Sequence, residues 1–82
     1  MTRDPRRAPQ PGDCLRCDGS LVRVDRVALG TVLVSVFAGE SAQPCAVTAV
    51  SILEWVEAAV GAAVVVLPEG DPRLEATILE AR

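Results

Sequence analysis

Two stretches of this chain alternate between opposite faces with a period of two, and they limit its fold more than any other feature. From Leu21 onward, Val22 and Val24 share one face while Arg23 and Asp25 take the other, the pattern of a half-buried strand. Gly30 allows a turn. Thr31 to Phe37 then reads as a second strand, with Val32, Val34 and Val36 on one side and Leu33, Ser35 and Phe37 on the other, so a β-hairpin is expected. Half of the 82 residues are hydrophobic, yet Phe37 and Trp55 are the only aromatics. The core must therefore be built from small and β-branched side chains, within one domain of a size that supports a single core.

The hairpin sits inside a longer order of elements. Residues 1–12 hold three prolines and three arginines, which predicts a flexible N-terminal arm. The folded part begins near Asp13. Ala38 to Ser41 is small and polar enough for a turn, and Cys45 to Val50 is a plausible third strand after Pro44. From Ser51 the spacing changes: Ile52, Trp55, Val56 and Ala59 recur at helical intervals, with Glu54 and Glu57 opposite. Gly61 ends that helix. Ala63 to Leu67 is a continuous apolar run, expected to be a strand buried on both faces. Asp71 followed by Pro72 supplies an N-cap and first helical turn, with Leu74, Ile78 and Ala81 along one face. The fold class expected is mainly β: a small, partly open, OB-fold-like β-barrel over residues 13–70, with a C-terminal α-helix over 71–82 packed on it.

Charge and hydropathy narrow the function classes. All eight cationic residues are arginine; residues 1–27 carry a net charge of +2 and residues 28–82 a net charge of −5, giving −3 for the chain. An acidic protein with a weakly basic head predicts no nucleic-acid partner. Ala46 to Leu67 is apolar enough to raise the question of a membrane span, but Glu54 and Glu57 near its middle would each cost about 2.5–3.5 kcal/mol there. No membrane association is expected. Arg6-Arg7 leads into Ala-Pro-Gln-Pro rather than an apolar stretch, so no export signal is read and a reducing, cytoplasmic setting follows.

Chemistry is scarce. The chain has no histidine and no tyrosine. Cys14 and Cys17, spaced as Cys-Leu-Arg-Cys-Asp-Gly, are two thiols that could meet one soft metal ion or each other, with Arg16 and Arg23 near enough to favour thiolate. A zinc or redox module is one reading of that pair, although a four-coordinate zinc site needs a second half and only Cys45 remains. Cys45 in its strand reads as a small buried hydrophobe. Trp55 admits two readings, a core anchor or a partner-binding hot spot. Glu54 and Glu57 read as solvated surface rather than a carboxylate pair, and no other constellation supports an enzyme.

The order of these pieces resembles the HypC/HybG/HupF family, small chaperones for maturation of nickel-iron hydrogenases. Cys14-Leu15 resembles the family's Cys-Leu opening, with Cys17 as in a Cys-x-x-Cys subgroup. Val60-Gly61 ahead of Val64-Val65-Val66 resembles its Val-Gly strand, and Glu75-Ala76-Thr77 its terminal helix. The sequence departs from the family where Leu67 stands in place of a histidine, Ala62 in place of an acid, and thirteen residues precede Cys14. The resemblance implies a chaperone that carries an iron unit with cyanide and carbon monoxide ligands between a HypD-like maturation protein and the hydrogenase large-subunit precursor. It makes Cys14 the iron contact, with Cys17 as a second metal ligand, and puts Cys14 and Leu15 at the partner surface, to which the hot-spot reading adds Trp55. A competing reading is a small SH3-like or OB-like barrel that binds protein or DNA, of the kind attached to transposases.

Overall fold

The computed structural model describes residues 4–74. Five strands, β1 (Cys14–Cys17), β2 (Ser20–Ala28), β3 (Thr31–Ala38), β4 (Ala46–Ser51) and β5 (Ala63–Val65), form one antiparallel sheet in the order β4-β3-β2-β1-β5. The mainly β class holds. The first four strands are a meander, and β5 returns along the free side of β1, so β4 and β5 are the two edges. The closed form of barrel is not reached among the described residues. One α-helix, α1 (Ile52–Ala59), leaves β4 without a loop, and a 3-10 turn at Pro72–Leu74 ends the described chain. The expected helix over 71–82 lies outside the described residues beyond that turn, where the Asp71 carboxylate does accept from the Arg73 N–H at 2.9 Å.

Both tight hairpins are two-residue turns with positive φ at each position. Asp18 and Gly19 (φ 46° and 81°) join β1 to β2, and Leu29 and Gly30 (φ 52° and 76°) join β2 to β3. That backbone matches the twist of the flanking strands and favours Asn or Asp followed by Gly. Asp18 suits its place, whereas Leu29 pays a steric penalty on its Cβ and is fully exposed. Leu29→Asn is expected to stabilise the protein by about 1 kcal/mol, seen as a rise of about 4–8 °C in Tm. An unchanged or lower Tm would contradict this turn.

The sheet buries both faces, which is the main departure from the half-buried strand expected for β2. One face, here the helix face, carries Leu15, Val24, Val32 and Val34 against Trp55 and Ala59 of α1. The far face carries Cys14, Leu21 and Phe37, with Val65 and Leu67 packed against them. A bulge at Asp25 lets β2 serve both: Val24 pairs with Val34 but Arg26 with Leu33 and Val27 with Val32, so the alternation restarts one residue late. The helix α1 starts where Ser51 caps it, its Oγ accepting from the Glu54 N–H at 3.1 Å while the Glu54 carboxylate accepts from the Ser51 N–H at 3.5 Å. Gly61 (φ 81°) makes the turn that follows.

Two further expectations change. The apolar run at 63–67 is not a doubly buried strand: only Ala63–Val65 is paired, on one side, and Val64 and Val66 are exposed. Cys45 is exposed just before β4 rather than buried within it. Among the described residues no helix is long and apolar enough to cross a membrane.

Candidate functional site

Cys14 lies in the middle of the far face because β1 is an inner strand. It is paired with Arg23 on one side and with Val65 on the other. Its thiol is about 1% exposed and lies 3.7 Å from the Gly12 carbonyl, as a weak donor. The Gly12–Asp13 segment is itself tied to β2, since the Gly12 N–H donates to the Val24 carbonyl and the Val24 N–H to the Asp13 carbonyl, both at 2.8 Å.

A strand turns successive side chains to opposite faces. Leu15 and Cys17 therefore belong to the helix-face core while Cys14 belongs to the far-face core. The structure does not bring the two thiols together, and one ion cannot be held by both in this arrangement. Among the described residues no group of three or more His, Cys, Asp or Glu side chains converges on a metal-sized space. The three thiols are offered singly, Cys14 on the far face, Cys17 on the helix face and Cys45 exposed before β4.

Burial pushes the Cys14 thiol above its ordinary pKa of 9.0; Arg23 and Arg73 draw it down, Asp13 and Asp71 push it further up, and burial prevails. Cys17 is also raised, by burial and then by Asp18. The expected activation by neighbouring arginines is thus outweighed. A thiol with a raised folded-state pKa keeps its proton in the native state while the unfolded chain loses it. Its contribution to stability is full below pH 9.0 and is lost as pH climbs through the folded-state value. The chain has neither lysine nor tyrosine, so few other side chains titrate in that window. The urea midpoint is expected to fall above about pH 9, and Cys14→Ala to flatten most of the fall. A midpoint that holds steady to pH 11 in the wild type contradicts the burial.

Beside Cys14 lies a polar cluster that the sequence did not announce. Arg23 is 5% exposed and Ser35 1%. The Arg23 Nε donates to Asp25 at 2.8 Å, Nη1 to the Arg73 carbonyl at 2.6 Å and Nη2 to the Ser35 Oγ at 3.3 Å, while the Ser35 hydroxyl donates to Asp25 at 2.5 Å. The guanidinium also stands 5.4 Å from the centre of the Phe37 ring. Alternation at Arg23 and Asp25 was the one signal, since it puts opposite charges side by side on one face. Nothing in the sequence said that the face would be covered.

The remaining candidates are placed as follows. Leu15 is about 1% exposed. Trp55 is 5% exposed, in the helix-face core, and its indole N–H donates to the Pro5 carbonyl at 3.0 Å. Residues of the expected arm thus meet the domain: Arg6 also donates to the Ala62 carbonyl at 3.4 Å, and Pro9 is buried. Glu54 and Glu57 are exposed. An open apolar groove of about 440 Å³ runs between the helix face and α1, over Leu15, Val34, Val36 and Val50, with Trp55 in its wall.

Comparison with family models, curated proteins and solved structures returns no match for this chain.

Proposed function

We propose that this chain is a binding protein of the hydrogenase-maturation type: it docks to a HypD-like partner in the cytoplasm, accepts an iron unit carrying cyanide and carbon monoxide, and hands it to the large-subunit precursor. The observation that supports this reading most is the pairing of β1 with β5. It sets Cys14 directly opposite Val65, so the two segments that carry the family resemblance are neighbours in space although about fifty residues apart in sequence. In this reading the meander closed back on β1 is the family's OB-like scaffold. The protein holds and transfers; it does not catalyse.

The iron unit is cargo, and Cys14 supplies one soft thiolate to it. That sulfur is buried, 3.7 Å from the Gly12 carbonyl and packed among Leu21, Phe37, Val65 and Leu67, so transfer requires the cover over the far face to open. Cys17, on the other face, takes no part in the transfer. Recovery of a HypD-like protein from extract by tagged wild type, with loss in Cys14→Ala and retention in Cys17→Ala, is the expected result. Equal recovery by wild type and Cys14→Ala, or none by either, overturns the reading.

A further inference from the structure

We infer that the groove between the sheet and α1 docks an extended, apolar, arginine- or lysine-bearing segment of a partner protein, added as a strand along β4. The inference depends on neither Cys14 nor the maturation reading. Three observations converge on it. The groove is apolar at its floor, and its only charged lining residues among those described are Asp18 and Glu54, both acids and both exposed. Its outer border is β4, an edge strand whose residues 46–49 are all exposed. Finally, β4 reads Ala-Val-Thr-Ala-Val-Ser, without any charge or proline of the kind that normally keeps an edge from pairing.

The geometry sets what can bind. Six residues of free edge span about 20 Å, enough for a short strand to pair. In an antiparallel or parallel addition, alternate side chains of the incoming strand fall on the helix face, next to Thr48 and Val50. Apolar ones extend the core of Val34, Val36 and Trp55 into the groove, and cationic ones meet Glu54 on the first turn of α1, directly after β4. A second copy of this chain fits less well. Its own β4 is uncharged and would bring no cation to Glu54, and each chain carries a net charge of −3. The last described residues are engaged on the opposite side, where the Arg73 carbonyl takes Arg23 of the far face.

Trp55 is the chain's only tryptophan, so its emission reports the groove without a label. The full chain is titrated with a short synthetic peptide alternating valine and arginine, with the same peptide carrying glutamate for arginine, and with an alternately N-methylated version that cannot pair as a strand. The expected result is a saturable change with the arginine peptide alone, weakened by added salt. Thr48→Arg, which fills and charges the exposed side of the groove, is expected to weaken binding by about tenfold or more, and Glu54→Gln by about threefold. Glu54→Gln keeps an acceptor for the Ser51 cap, and both variants are checked by circular dichroism and Tm. No saturable response, an equal response to the glutamate or N-methylated peptide, or unchanged affinity in a folded Thr48→Arg variant overturns the inference. So does sedimentation showing that β4 is taken by a second copy.

Discussion

Phe37→Ala is expected to lower stability by about 3–5 kcal/mol, the range for removing a fully buried aromatic ring. Phe37 is 0% exposed and is the largest apolar side chain of the far-face core, where Leu21 and Cys14 are the other buried hydrophobic residues. Little else can move in to fill the space. The Arg23 guanidinium over its ring also loses its partner, adding to the cost. A domain of 82 residues has a total stability of roughly 4–12 kcal/mol, so the variant should be largely unfolded at elevated temperature. Phe37→Leu keeps most of the volume and is expected to cost about 1.5 kcal/mol or less. Thermal and urea unfolding of the two variants separate these cases. If Phe37→Ala melts with the wild type, the sheet has no second core.

Arg23→Met is expected to cost about 3 kcal/mol, although it removes a charge and keeps an apolar stem of similar length. The cost comes from what stays behind. Asp25, with a side chain 22% exposed, would keep only the Ser35 hydroxyl as the partner seen here, and the Arg73 carbonyl would lose its donor. Adding Asp25→Asn should recover part of the loss, because the carboxylate that needed a cation is gone. A urea-unfolding cycle of the two single variants and the double measures this. Strict additivity would show that Arg23 and Asp25 do not act as a unit.

The period-two runs make the hairpin of β2 and β3 legible, and the helical spacing from Ile52 to Ala59 makes α1 legible with its Ser51 cap. Burial was harder to read. Alternation assigns Arg23 to solvent because charge is costly to bury, but three acceptors and an aromatic ring satisfy the guanidinium, and the face closes over it. The apolar run at 63–67 reads as doubly buried. A strand that pairs only with β1 stands at an edge, however, and Val64 and Val66 remain exposed. Cys14 and Cys17 show the same limit at the candidate site. Two thiols three positions apart converge in a turn or a helix and diverge in a strand, so the spacing has no geometric meaning until the backbone state is known. The groove beside Trp55 was hidden for a related reason: its walls come from β1, β2, β3, β4 and α1, and no local pattern joins them.

The bulge at Asp25 makes the two halves of β2 run out of phase. Asp25 and Arg26 fall on the same side, which returns Val27 to Val32 and the helix-face core. Asp25 therefore acts in two ways, as a charge facing Arg23 and as the extra, unpaired residue of the bulge. Substitution there removes the charge and keeps the bulge, whereas deleting the residue would leave Val24, Arg26 and Val27 in plain alternation opposite Val34, Leu33 and Val32, so that the ladder becomes regular while Arg23 loses its carboxylate. Loss of one residue between Val24 and Gly30 is accordingly expected to be absorbed by the ladder, its cost falling on the Arg23 cluster rather than on the two cores.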